Sequence, residues 1–198
     1  MKNKILILLS VAALSFTGAC AKKDVKVAPE VKNDLSNLPA WVLDPNVADG
    51  IGGVGIASPS QGGIKFQIPK AEIDAKANIA ATIQSEISRI TKDAMRSANV
   101  NNTDDVEQFF SQATKEVVKD LPLSGVKRLN IFRDKDGTLY VHMVLKNEDY
   151  SKFLANSEKT FEARLAKANV GRANIAKTQE ATKALFDELE GERNKGQQ

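Results

Sequence analysis

The chain has 198 residues, a formal net charge of +3 at pH 7 and charged residues at 27% of its positions. Its 28 basic residues are interleaved with 25 acidic ones, which excludes the clustered basic surface that nucleic-acid binding requires. His142 is the single histidine and Cys20, the single cysteine, is expected to be acylated, so neither a Cys–His pair nor a histidine-rich metal site can be assembled. We therefore predict a protein that is not an enzyme, with no catalytic residue, cofactor or metal ligand to assign.

Residues 1–19 predict an export signal. Lys2 and Lys4 precede an apolar run over residues 5–16, which is shorter than the ~20 residues that a membrane-spanning helix needs. Removal of this segment takes both lysines with it and lowers the net charge from +3 to +1.

Cys20 is the expected lipidation site. The small residues at positions 17–19, Thr-Gly-Ala, precede it and resemble a bacterial lipobox, in which the cysteine is acylated after cleavage. Ala21 follows instead of the Asp that retains many lipoproteins at the inner membrane, so the resemblance implies anchoring to the outer membrane. Cleavage at an ordinary A-x-A site over residues 19–21 is the alternative, and it would leave the protein soluble in the periplasm.

Residues 20–38 are predicted to join this anchor to a folded domain. After Cys20 they mix Lys, Asp, Asn and Val with one proline and no sustained period, which is typical of a flexible tether. The domain begins at Pro39. Trp41 is expected to cap one edge of its core, with a binding-site or membrane-interface role as the alternative.

The glycine-rich segment at residues 51–58 is predicted to be a strand. Residues 50–55 fit the pattern G-x-G-x-x-G, but a dinucleotide site also needs a strand before the glycines and a helix starting within them. Turn residues precede this segment, and extended chain ending at Pro59 follows it. We therefore interpret the glycines as positions at which the strand bends or approaches other backbone closely.

A long helix is predicted from about Pro69 to residue 98. Proline suits a first helical turn, and Glu72 and Asp74 place negative charge near the positive end of the helix dipole. Apolar residues recur at steps of three and four, so we expect one buried stripe that a sheet covers. The stripe consists of Ile73, Ala77, Ala80, Ile83, Ile87, Ile90 and Ala94.

A second, shorter helix is predicted between Thr103, as its N-cap, and Pro122, which ends it. Its expected buried stripe consists of Val106, Phe109, Phe110, Ala113, Val117 and Leu121.

Residues 126–133 and 138–146 predict an antiparallel hairpin whose turn is closed by Gly137. In the second strand Leu139, Val141, Met143 and Leu145 face one way, and Tyr140, His142, Val144 and Lys146 face the other. His142 is expected to be a surface residue, with pH sensing or ligand binding as the alternative. The acidic residues at 134–136 resemble the start of a calcium loop, but no Glu stands at the closing position and hairpin chemistry explains them.

Residues 150–198 are predicted to form a C-terminal helical extension. They are rich in Ala, Glu and Lys and contain no proline, which favours a long helix interrupted at Gly171. Its apolar positions fit a heptad register and are Leu154, Phe161, Leu165, Ala168, Ile175, Phe186 and Leu189. We expect this stripe to mediate assembly. A helix folded back over the free sheet face and a solvated spacer are the alternatives.

Four segments, taken in order, resemble the Lpp-twenty family of bacterial lipoproteins. They are Pro39-Ala-Trp-Val42, Gly53-Val-Gly-Ile-Ala57, the alanine-rich residues 71–80 and Asp136-Gly-Thr-Leu-Tyr-Val-His-Met-Val144. The resemblance implies a dodecin-like β-α-β-β domain, with a helix packed on an antiparallel sheet, and it implies no catalytic residues. Members are anchored envelope lipoproteins, including surface-exposed antigens and relatives that build the flagellar basal disk.

These features predict an α+β protein in which the Lpp-twenty-like domain occupies residues 39–149. The expected function is a non-enzymatic structural or assembly role at the bacterial envelope. The lipid would anchor the protein in the outer membrane, its partners would be further copies or other envelope proteins, and the flagellum is one candidate location. The alternative is a tethered monomeric module that binds a ligand or partner in the periplasm or at the cell surface.

Overall fold

Three antiparallel strands form the sheet of this α+β protein. The computed structural model describes residues 35–100, 102–168 and 170–195. The strands are β1 (Gly50–Ala57), β2 (Lys127–Arg133) and β3 (Leu139–Lys146). They lie in the order β1–β3–β2. The predicted hairpin and the predicted glycine-rich strand are therefore both confirmed.

Five helices accompany the sheet in the described part of the chain. They are α1 (Ala40–Leu43), α2 (Ile64–Ser97), α3 (Asp104–Lys119), α4 (Asn147–Leu165) and α5 (Arg172–Lys195). Two short 3-10 turns cover Leu35–Asn37 and Leu123–Gly125. The predicted β-α-β-β order is present, with α3 added between α2 and β2.

The turn of the hairpin uses the acidic residues that resembled a calcium loop. The backbone N–H of Asp134 donates to the carbonyl of Thr138 at 2.8 Å, and Gly137 adopts a φ of 87° that favours glycine. The carboxylate of Asp136 accepts hydrogen bonds from the backbone N–H of Thr138 at 2.7 Å and from its hydroxyl at 2.9 Å. These bonds give the acidic side chains a role in the turn itself.

The long helix α2 begins five residues before the predicted start at Pro69, which lies inside the helix. The side chain of Gln67 holds the first turns of α2 in place. It is buried, and its side-chain amide donates to the carbonyls of Ser58 at 3.1 Å and Gly137 at 2.9 Å. These bonds tie the start of α2 to the sheet and offset the backbone hydrogen bond that a proline inside a helix cannot make.

The buried face of α2 differs from the prediction in its first half. Ile73 is 68% exposed and Ala77 is also exposed, so their assignment to the core is wrong. The buried stripe consists of Ala71, Ala75, Ile79, Ile83, Ile87, Ile90 and Ala94. The reason lies in β1, which approaches so closely that a Cβ on Gly55 would lie 1.9 Å from the carbonyl oxygen of Ala71. Only small side chains fit between the strand and this part of the helix.

The second half of α2 packs with the other helices instead of the sheet. All six predicted stripe residues of α3 are buried, and four phenylalanine rings of α3, α4 and α5 are in contact. The rings belong to Phe109, Phe110, Phe161 and Phe186. Thr103 is the N-cap residue of α3, as predicted, although its side chain makes no capping hydrogen bond.

The C-terminal helices α4 and α5 belong to the core. Leu154, Phe161, Leu165, Phe186 and Leu189 are buried, so the expectation that this stripe is exposed for assembly is wrong. The alternative position over the free sheet face is also wrong, because α5 contacts α2 and α4. The helical path is interrupted between α4 and α5, and there the backbone N–H of Gly171 donates to the Asp105 carboxylate at 2.7 Å. The predicted boundary after residue 149 falls inside α4.

Candidate functional site

The face of the sheet that points away from α2 is the main candidate surface, and we call it the open face. Strand register decides which side chains share it. Tyr140 of β3 pairs with Ile56 of β1 on one side and with Phe132 of β2 on the other. His142 of β3 pairs with Val54 of β1. Directly paired residues of antiparallel strands point to the same face, so these five side chains lie together.

One end of the open face is covered by α1. The indole of Trp41 stacks on the imidazole of His142, with ring centroids 5.4 Å apart and planes inclined by 4°. His142 is 2% exposed, so the expectation that it is a surface residue is wrong. Alternation along the strand predicted the correct side, but no pattern in the sequence predicts that a four-residue helix crosses that side. Trp41 thus covers a sheet residue at one end of this face.

Hydrogen bonds fix the tautomer of His142. Its Nε2 lies 2.8 Å from the carbonyl oxygen of Pro45, which can only accept, so Nε2 carries the proton. Its Nδ1 lies 3.3 Å from the side-chain nitrogen of Asn130, which can only donate, so Nδ1 accepts. Both ring nitrogens are thereby satisfied, and His142 holds the segment after α1 against the sheet.

Gly52 is the sequence signal for this covered end. A Cβ at this position would lie 1.8 Å from the carbonyl oxygen of Pro45 and 3.1 Å from Nε2 of His142. The segment around Pro45 therefore reaches the sheet only because residue 52 has no side chain. Glycines of β1 therefore allow backbone to approach closely on both faces of the sheet: Gly52 faces the segment around Pro45, and Gly53 and Gly55 face α2.

The other end of the open face is apolar and is covered by none of the described elements. Ile56 is 48% exposed, while Phe132 and Tyr140 are half-buried with ring centroids 6.1 Å apart. Residues that border the two edges of the sheet carry opposite charge. Asp74 lies at the outer edge of β1, and on β2 Lys127 shares the open face because it pairs with Val144. The open face thus combines an apolar end with one acidic residue at its β1 edge and one basic residue at its β2 edge.

The outer edge of β1 is closed to further strands. The carboxylate of Asp74 accepts the backbone N–H of Ile56 at 2.8 Å, and the amide of Asn78 donates to the carbonyl of Val54 at 2.8 Å. Both side chains come from α2 and occupy the backbone groups that a new strand would need. The sheet can therefore pair with another molecule through its open face, but not by adding a strand to β1.

A second polar cluster lies where β1, α2, α4 and α5 meet. Glu86, Tyr150 and Arg193 line a cavity of about 140 Å³ there, and the hydroxyl of Tyr150 has no hydrogen-bond partner among the described residues. Burial raises the pKa of Glu86, nearby Glu192 raises it further, and Arg89 opposes both. Burial, followed by the charge of Glu86, also raises the pKa of Tyr150. The cavity is smaller than the roughly 300–1,000 Å³ of most ligand pockets, so we interpret it as part of the core.

Glu86→Gln is expected to stabilise the protein at neutral pH. The folded-state pKa of Glu86 lies above its ordinary value of 4.5, so the protonated form favours the fold. This contribution is complete below pH 4.5 and is lost as the pH rises through the folded-state pKa. Denaturant unfolding at pH 4 and pH 7 should therefore show a gain for the variant only at pH 7. The exposed Glu180→Gln is the matched control, and an equal gain for both variants would contradict the assignment.

The residues assigned from sequence are placed as follows. Cys20 lies outside the described residues, as do the expected signal segment and most of the tether. Within the described ranges, three or more His, Cys, Asp or Glu side chains do not come together in a way that could hold a metal ion. Over the same ranges, none of the helices combines the length and apolarity needed to cross a membrane.

No protein-family model matches the chain, and no curated protein matches it. The functional interpretation therefore depends on the residues described above.

Proposed function

We propose that the protein is a non-enzymatic lipoprotein of the outer membrane with a structural role, and that copies associate through the open face. The observation that carries the proposal is the apolar end of this face, formed by Ile56, Phe132 and Tyr140 and left uncovered by the five helices. The export signal and Cys20 support the anchored location. The resemblance to envelope lipoproteins supports the structural role, with the flagellum as one candidate setting.

Charge favours a second copy as the occupant and also selects its orientation. A two-fold axis parallel to the strands places the β1 edge of one copy over the β2 edge of the other. The edge that carries Asp74 then lies over the edge of the other copy that carries Lys127, which is favourable. An axis across the strands would place like edges together and repel. In the favoured arrangement Tyr140 faces its own counterpart, and Ile56 faces Phe132 of the second copy.

The size of the face explains why the anchor matters. Two strands of eight residues and one of seven cover about 14 by 26 Å, or roughly 370 Å², at a strand spacing of ~4.8 Å and a rise of ~3.3 Å per residue. A stable complex buries about 800 Å² per partner. Association through this face is therefore weak in free solution. Confinement of the copies to one membrane raises their effective concentration and favours the pair.

Cross-linking in membranes tests the arrangement. The full chain is expressed with its signal segment, and Tyr140→Cys is treated in isolated membranes with a bismaleimide that spans about 10 Å, the distance between packed sheets. Acylation blocks the thiol of Cys20, so the new cysteine is the reactive one. A cross-linked dimer is expected. Ile73→Cys, at a residue 68% exposed on α2, is the matched control and should remain monomeric.

Two lysine variants complete the test. Ile56→Lys, added to Tyr140→Cys, should abolish the dimer because it places a charge in the apolar contact. Ile73→Lys makes the same change on α2 and should leave the dimer intact. Equal cross-linking of Tyr140→Cys with Ile56→Lys and with Ile73→Lys would overturn association through the open face. No cross-linking of Tyr140→Cys alone would overturn it too. The anchor is tested separately by intact mass, and an unacylated chain would refute it.

A further inference from the structure

A cleft of about 650 Å³ lies between α2 and α3 and shares no residue with the open face. Its volume is within the range of pockets that hold small molecules. Met95 and Phe110 are buried beneath it and give it an apolar floor, which Val118 extends. The cleft is therefore large enough for a small molecule and apolar enough to hold a hydrocarbon chain.

A buried hydroxyl in the cleft lacks a partner. The Thr114 hydroxyl oxygen is inaccessible to solvent and makes no hydrogen bond with any described residue. The hydroxyl of Thr91, which also lines the cleft, donates to the Ile87 carbonyl at 2.7 Å and is satisfied inside its own helix. A buried polar group without a partner is unfavourable. A polar atom of a ligand would satisfy the Thr114 hydroxyl once rotation about χ1 turns it toward the cleft.

Cations outnumber acids at the rim of the cleft. Lys92 and Arg96 of α2 and Lys115 of α3 line it, against the single carboxylate of Glu107. Arg96 pairs with Asp93 at 3.1 Å. Within the described ranges, neither Lys92 nor Lys115 is within ion-pair distance of a carboxylate. The charge of the rim therefore fits an anionic group.

The volume distinguishes a single hydrocarbon chain from a partner helix. One turn of a helix about 10 Å across occupies roughly 420 Å³. The cleft would hold less than two turns, which is too little for the amphipathic helix that a helix-binding groove accepts. A single flexible chain fits the same space along its length.

We propose that this cleft binds a long-chain fatty acid. The hydrocarbon chain lies on Met95, Phe110 and Val118. The carboxylate lies at the rim, where Lys92 and Lys115 bind it. This binding function is additional to association through the open face and does not depend on it.

Photochemical labelling of the purified full chain in a non-ionic detergent tests the proposal. The probe is palmitic acid that carries a diazirine on its chain, and labelled peptides are identified by mass spectrometry. Labels are expected in residues 88–96 and 107–118, and an excess of unmodified palmitic acid should remove them. The corresponding diazirine alcohol lacks the negative charge and is expected to label the cleft at least ten-fold less.

Charge-reversal variants provide the matched comparison. Lys92→Glu combined with Lys115→Glu should reduce labelling at least ten-fold. Lys119→Glu lies one turn further along α3, outside the cleft, and should leave labelling unchanged. Ser111→Trp replaces an exposed residue that lines the cleft and should block labelling by filling it. Labels spread over the whole surface, equal labelling by the alcohol, or no loss in the double variant would overturn the proposal.

Discussion

Gly55→Ala is expected to lower the free energy of unfolding by about 3 kcal/mol or more, at or beyond the upper end of the range for overpacked cores. The added Cβ would lie 1.9 Å from the carbonyl oxygen of Ala71 and 2.3 Å from the backbone nitrogen of Ala75. Both are main-chain atoms of α2, so no side-chain rotation can relieve the clash. The strand and the helix must separate, and the alanine contacts between them are lost.

Gly191→Ala is the matched control for this glycine. It lies in α5, and no atom is within 4 Å of the position that its Cβ would occupy. Alanine in a helix interior is favoured over glycine by about 0.5–1 kcal/mol, so this variant should be slightly more stable than the native chain. Denaturant midpoints measure both variants. Similar midpoints for the two would mean that β1 and α2 are further apart than described.

Phe161→Ala is expected to lower the free energy of unfolding by about 3–5 kcal/mol, the usual range for a buried phenylalanine. The residue is 1% exposed, and its ring centroid lies 5.3 Å from that of Phe109, 5.6 Å from that of Phe110 and 5.6 Å from that of Phe186. Truncation therefore leaves a cavity at the point where α3, α4 and α5 meet.

Phe66→Ala makes the same chemical change at an exposed position. Phe66 is 64% exposed near the start of α2, so its loss should alter stability by about 0.5 kcal/mol or less. Equilibrium unfolding of both variants gives the comparison. If Phe161→Ala unfolds at the same denaturant concentration as Phe66→Ala, the C-terminal helices do not pack as described.

Periodicity predicted the elements whose apolar residues are large. The predicted stripe of α3 and the predicted alternation of β3 are correct, because large apolar side chains such as Phe109, Phe110, Leu139 and Val141 are stable only in the core. In the first half of α2 the pattern was ambiguous, since alanines occur on several faces. Hydrophobicity favoured Ile73, whereas close approach to β1 required the small residues Ala71 and Ala75. Packing distance decided the face, and sequence patterns do not contain it.

The covered end of the open face could be predicted only in part. Alternation placed His142 opposite the core, and Pro39 and Trp41 marked the start of the domain. The stacking of Trp41 on His142 depends on a four-residue helix, which has no periodicity of its own. Gly52 was recognised as a close-approach residue, but its partner Pro45 is seven positions away in a turn. Five of the seven predicted stripe residues of the C-terminal segment are buried, but Ile175 is 37% exposed, and the heptad register missed the buried Tyr150 and Leu185. Their burial depends on long-range contacts.

One helix connects all parts of the core. The first half of α2 supplies the layer beneath the sheet, and its second half supplies the wall against which α3 and α5 pack. Neither half of the protein can lose its structure without exposing the isoleucines of the other. The domain should therefore unfold in a single all-or-none step, and the amide protons of Ile83 and Ile87, midway along α2, should be among the slowest to exchange with solvent.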